Sequence, residues 1–173
     1  MNMPCEICEL MKDPNKRIYE DEFVVAILLD RCAAAGHMII TTKRHFPIIE
    51  QIPDNLVSHL FNVANKLSTI TFETLGAQGT NMIINNGIEA GQKYPHTVVH
   101  MIPRRENDNI DMNWQPQQLS EEEFSTIEIQ IKSFFEQAPA QVISETPKDG
   151  TEVIDSDDSE KENYLLKSLR RIP

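Results

Sequence analysis

The chain has 173 residues and a formal net charge of −11, which suits one domain plus an extension and a core that folds without disulfide staples. Its acidic balance excludes a general nucleic-acid binder, which needs a basic face. No apolar run reaches the roughly 18 residues of a membrane span, Met1–Cys5 lacks the basic-then-apolar order of a signal peptide, and three cysteines make no disulfide framework, so the chain reads as cytoplasmic.

Met3 to Lys16 is short and polar and carries Cys5-x-x-Cys8. Arg17 to Glu20 predicts a short strand. Phe23 to Leu29 is a continuous apolar run, as expected of a strand buried on both faces. Gly36 to Thr42 reads as its antiparallel partner. Asp30 to Ala35 lies between them, either as a loop or, with three consecutive alanines, as a helical turn. From Pro53-Asp54 onward, Leu56, Leu60, Val63, Ala64, Leu67, Ile70 and Thr71 recur at three- and four-residue spacing, which predicts a long helix ending at Gly76. Asn81 to Asn85 predicts a strand, Asn86-Gly87 a loop, and Thr97 to Pro103 another strand. Ser120 with Glu123 is a capping box, opening a helix whose apolar face is Phe124, Ile127, Ile131, Phe134 and Phe135. Residues 1–137 are read as the domain. Residues 138–162 turn to Pro, Ser, Asp and Glu and read as an acidic flexible linker. There Glu145, Asp149, Glu152, Asp155, Asp157, Asp158, Glu160 and Glu162 face only Lys148 and Lys161, so the domain itself is less acidic and has room for a small anionic ligand. Residues 163–173 predict a last helix, with Leu165, Leu166, Leu169 and Ile172 free to dock on the domain or on a partner protein.

The chemistry concentrates in Gly91-Gln92-Lys93-Tyr94-Pro95-His96-Thr97-Val98-Val99-His100. On a strand, His96, Val98 and His100 share one face. The segment resembles the signature of the histidine triad (HIT) family, His-x-His-x-His followed by apolar residues. Cys5-x-x-Cys8, Gly36-His37, Lys43-Arg44-His45, the long helix, Asn85-Asn86-Gly87 and Gly91-Gln92 follow the family in the same order, over roughly residues 5 to 115. The resemblance implies an α+β fold, a mostly antiparallel sheet with one long helix, and a homodimer. It also implies a purine-nucleotide site. Asn85 matches a residue at the ribose and phosphate, Gly91 and Gln92 match the phosphate loop, and His100 matches the last triad histidine, a donor to a phosphate oxygen. Asp30 matches the ribose-binding aspartate if the following loop is one residue short, and otherwise caps a turn. Lys93 stands where many members carry serine, either as a cation near phosphate or as a solvated loop lysine. Trp114 matches a tryptophan that some members set against the partner's site, and it reads equally as a surface aromatic.

The departure is Val98. In the family the middle histidine becomes nucleotidylated, and an isopropyl group has no lone pair to attack phosphorus. The resemblance also implies a structural zinc on Cys5, Cys8, His45 and His96, four ligands as such a site needs. A redox Cys-x-x-Cys and two inert cysteines are the rival readings. His37 is expected as a packed core histidine, His59 as an exposed or interfacial one, and Cys32 as a small buried or loop residue. Three functions follow. The favoured one is a purine-nucleotide-binding protein with little or no turnover. The second is an active hydrolase of dinucleoside polyphosphates or nucleoside phosphoramidates, using His100 with water or a metal. The third is an interaction adaptor with a vestigial pocket.

Overall fold

The computed structural model describes residues 5–137. The expected linker 138–162 and terminal helix 163–173 lie outside the described residues. The chain parts after Ile110 into two compact units, each taken by itself below.

The first unit is built on a five-stranded antiparallel sheet. Its strands are β1 (Arg17–Glu20), β2 (Val24–Leu28), β3 (Met38–Thr42), β4 (Gly79–Ile83) and β5 (Val98–Arg104), in the order β1-β2-β3-β5-β4. Helix α1 (Glu6–Leu10) precedes the strands, and helix α2 (Asp54–Leu75) joins β3 to β4. This is the expected α+β architecture with one long helix. No described helix is long and apolar enough to cross a membrane.

Period-two alternation on the central strands divides the core into two layers. Val24, Ala26, Met38, Ile40, Val99 and Met101 pack under Leu60, Val63, Ala64 and Leu67 of α2. Val25, Ile27, Ile39 and Val98 face the other way and pack against Ile7 of α1. Val24 to Ile27 of β2 are thus buried on both faces, and each of the two valines and Ile27 contributes about 1.5–3 kcal/mol. The candidate site residues of β5 belong to the second layer, because Val98 and His100 point away from α2.

Two local devices set this geometry. α2 ends where Gly76 turns left-handed, with φ 62°. Gly36, with φ 91°, lies so close to the end of α2 that a Cβ there would come 2.5 Å from Leu75 Cδ1. The exposed Leu75 tip could give way, but the positive φ still favours glycine, which delivers His37 to the start of β3. Beyond β5, Arg104 reaches Asp108 with Nε at 2.6 Å and Asn81 with Nη1 at 2.6 Å, clamping the strand end. The Arg104 guanidinium, with backbone N–H groups, holds Asp108 well below the usual carboxylate range. The segment Asp30–Ala35 is a loop, which resolves the alternative left open by its alanines.

The second unit carries α3 (Glu121–Gln137). Its capping box forms as expected: Ser120 N–H donates to Glu123 Oε2 at 2.9 Å, and Glu123 N–H donates to Ser120 Oγ at 3.3 Å. Phe124, Ile127, Ile131, Phe134 and Phe135 are exposed, as is Trp114.

Candidate functional site

Cys5, Cys8, His45 and His96 come together although they span 91 positions of sequence. Their ligand atoms all lie within 4.8 Å of one another. Cys5 Sγ is 3.6 Å from His96 Nδ1, and Cys8 Sγ is 3.5 Å from that atom and 3.4 Å from His45 Nδ1. A tetrahedral zinc, with Zn–S near 2.3 Å and Zn–N near 2.0–2.1 Å, sets sulfur and nitrogen about 3.5–3.6 Å apart. These three sulfur–nitrogen pairs therefore already stand near that spacing, and the other ligand pairs lie within 4.8 Å. The outer contacts agree. His96 Nε2–H donates to the Thr42 carbonyl at 3.0 Å, which leaves the Nδ1 lone pair aimed at the sulfurs. Burial, and then the nearby His45, push His96 below its usual range and keep it neutral, as a ligand must be. Burial, and then the Cys5 thiol, push Cys8 up to about 11. A divalent cation reverses that sign by binding thiolate.

Beside the cluster lies a cavity of about 480 Å³. Ile7 and Leu10 of α1, Ile39 of β3, Ile83 of β4, and Val98 and Ile102 of β5 give it an apolar side. Its polar side comes from Asp30 and Arg31 in the β2–β3 loop, Asn85, Gly91, Gln92 and Lys93 before β5, and the imidazoles of His37, His96 and His100. His37 and His100 touch, Nε2 to Nδ1, at 3.1 Å. Ala33 N–H donates to His37 Nδ1 at 3.0 Å, so the His37 proton sits on Nε2 and is given to His100 Nδ1. Neutral His100 then carries its own proton on Nε2, as a hydrogen-bond donor. Burial lowers His37, and burial first, then His37 and Lys93, lowers His100. Both rings are held neutral.

The loops around the cavity are braced internally. Gln92 accepts from Gly87 N–H at 2.8 Å and donates to the Pro47 and Tyr94 carbonyls at 2.6 and 2.8 Å. Its side chain is committed to shaping the turn, so what it offers a ligand is backbone. Gly91 sits at φ 83°, with Asn85 Nδ2 3.5 Å from its carbonyl oxygen. Asp30 is exposed and pairs with Lys16 Nζ at 2.9 Å. That contact, then the Arg31 backbone N–H, hold it ionised as an acceptor.

The profile of the HIT domain matches residues 11–107. The chain belongs to the HIT family. HINT3 of Arabidopsis thaliana, an adenylylsulfatase, is 32% identical over 106 residues, which are 60% of this chain and 54% of that protein. This chain thus spans about half the length of that relative. A HIT family member from Bacillus subtilis, known from its crystal structure, is 26% identical with a TM-score of 0.69, covering 76% of this chain and 96% of that one. A zinc-bound histidine triad protein from Mycobacterium smegmatis is 28% identical with a TM-score of 0.59, covering 79% of this chain and 99% of that one.

Within this HIT fold the residues singled out by sequence fall into two groups. Cys5, Cys8, His45 and His96 form the cluster. Asp30, Asn85, Gly91, Gln92, Lys93, Val98 and His100 line the cavity, and His96 borders both. His37 is buried as expected, and it also lines the cavity. Nothing in sequence announced its contact with His100, which arises because β3 and β5 are neighbours and Ile39 pairs with His100. Arg31, Ile7 and Leu10 were also missed. Arg31 is an unremarkable loop residue in sequence, and α1 is too short for periodicity to reveal. His59 lies outside the site, its Nε2 2.7 Å from Asp21 Oδ2.

Proposed function

We propose that this chain is a purine-nucleotide-binding HIT protein that has lost, or nearly lost, nucleotidyl transfer and hydrolysis. The observation that carries this reading is the chemistry facing the cavity where Val98 stands in place of the family's nucleophile. Val98 has no lone pair. His100 has its Nδ1 lone pair engaged by His37 and offers an N–H from Nε2. His96 has one nitrogen on the Thr42 carbonyl and the other on the thiols. Of the three, only His100 has an N–H free to hold a phosphate oxygen, and none can attack phosphorus. Loss of the nucleophile costs several orders of magnitude in rate by analogy with nucleophile deletions elsewhere. On this reading Asp30 accepts from a ribose hydroxyl, Asn85 and the Gly91–Gln92 backbone hold the phosphate region, and Lys93 adds a cation. Cys5, Cys8, His45 and His96 hold a structural zinc, supported by the sulfur–nitrogen spacings of the cluster and by the zinc-bound structural relative. Such a zinc ties the N-terminus to the sheet and takes no part in chemistry at phosphorus. The protein is a homodimer, as its fold family suggests.

Calorimetry on the full chain tests this. AMP or GMP is expected to bind, while turnover of AMP-amidates and dinucleoside polyphosphates stays near background. Restoring the nucleophile with Val98→His is expected to raise turnover. Rapid cleavage by the unaltered protein, with a nucleotidylated histidine trapped, overturns the reading in favour of an active hydrolase. Failure of a broad nucleotide panel to bind favours the adaptor with a vestigial pocket.

A further inference from the structure

Eight of the eleven Lys and Arg side chains among the described residues have a partner. Lys12, Lys16, Arg17, Lys43, Arg104 and Lys132 have carboxylate partners. Arg105 donates to the Ala35 and Leu75 carbonyls, and Arg44 lies over the Phe46 ring. Among the described residues the side chains of Arg31, Lys66 and Lys93 alone have neither a hydrogen bond, an ion pair nor a ring beneath them, the one bond of Arg31 being from its backbone N–H to Asp30 Oδ1. Arg31 and Lys93 line the same cavity.

That placement is selective in a chain with a net charge of −11, where carboxylates to pair with are abundant. The two cations come from separate loops, Arg31 after β2 and Lys93 before β5. The charge of Lys93 is felt at His100, whose protonation it opposes. The apolar side of the cavity, with Ile7, Ile39 and Val98 in one buried cluster, offers an anion nothing. A single phosphate is already served by the His100 N–H and the loop backbone. The two loop cations are therefore in excess of what a monophosphate needs.

Resting on the nucleotide reading above, we infer that Arg31 and Lys93 select a nucleoside di- or triphosphate over the monophosphate by holding the phosphates beyond the α position. Guanidinium and ammonium make charge-assisted hydrogen bonds to phosphate oxygens. The ligand stays intact, because no nucleophile faces its α-phosphorus. Arg31 thus becomes a specificity-determining residue of the pocket, and Lys93 acts beyond the α-phosphate.

Titration of the zinc-loaded full chain with AMP, ADP and ATP in magnesium-free, chelator-free buffer tests this. ADP is expected to bind roughly five- to tenfold more tightly than AMP, as one charge-assisted contact allows. The gap narrows as salt rises. Arg31→Ala and Lys93→Ala each shrink the ADP-to-AMP ratio, and the double variant brings it close to one. Lys66→Ala, an unpaired cation on α2, leaves the ratio unchanged. Equal affinity for AMP and ADP in the unaltered protein overturns the inference and leaves nucleotide binding standing. So does an equal loss for both ligands in the alanine variants, or a matching loss in Lys66→Ala. Absence of binding by all three nucleotides, and by their guanine counterparts, removes the nucleotide reading itself.

Discussion

His100 carries two constraints that act through single atoms. Its Nδ1 is tied to His37, and His37 is tied in turn to the Ala33 backbone, so the proton on Nε2 follows from a main-chain N–H two residues removed. Sequence displays Gly36-His37 and His96-x-x-x-His100 as patterns, and it does not display their pairing, which needs the strand order. The pairing has a pH consequence. Burial lowers His37, and burial, then His37 and Lys93, lower His100 relative to about 6.5 in an unfolded chain. In that window the unfolded state binds more protons than the folded one. The stability tied to neutral rings is therefore full above about pH 6.5 and is lost as pH falls from there through the folded-state values. The urea midpoint is expected to drop between pH 7.5 and 5. Imidazole nitrogen NMR should find Nδ1 of His100 unprotonated and both rings titrating below 6.5. A protonated Nδ1 on neutral His100 would sink the tautomer argument, and a midpoint at or above 6.5 for either ring would sink the pH argument.

At the scale of elements, legibility followed length and periodicity. α2 was readable to its last residue because a 22-residue apolar stripe meets a left-handed glycine at Gly76. β4 was read two residues late, starting at Asn81, because Gly79 and Thr80 carry no strand pattern and are drawn in by pairing with Arg104 and Pro103. α1 was invisible. A five-residue helix has no intrinsic stability, and among the described residues α1 meets the sheet only through buried Ile7, its partly buried neighbours and the cluster of Cys5 and Cys8 with two histidines. Ile7 and Leu10 also line the cavity, so α1 joins the Cys–His cluster to the cavity, and a metal bound at the one is expected to affect a ligand bound at the other. Elemental analysis is expected to find about one zinc per chain. Stripping the metal, or Cys8→Ser, should bring amide exchange over residues 6–11 close to the unprotected rate and weaken AMP binding several-fold. Ile7→Ala with zinc retained should weaken binding while leaving the metal in place. Protection and affinity that survive metal removal would show that packing alone holds α1.

At the scale of the whole molecule, the chain joins a HIT unit to a second unit of different character. The family match covers 11–107, and every lining residue of the cavity lies between Ile7 and Ile102. The apolar stripe of α3 was legible from its spacing, and its exposure was not, since periodicity says which side chains share a face without saying what covers them. The acidic excess after residue 137 is also plain in sequence, and electrostatics bounds its effect on the pocket. Residues 138–173 hold eight carboxylates against five cations, a net of −3 within the total of −11. Charges more than a Debye length away, about 8 Å at physiological salt, are largely screened. If the charges after residue 137 act only from beyond that length, a chain ending at Gln137 keeps its metal content and binds AMP within about twofold of the full chain. At very low salt, where the screening length grows to about 30 Å, the shortened chain should bind the anion slightly more tightly, because the net negative charge is smaller. Weaker binding by the shortened chain at physiological salt would require residues after 137 to support the pocket directly. That result would also raise the adaptor reading, in which the tail carries function.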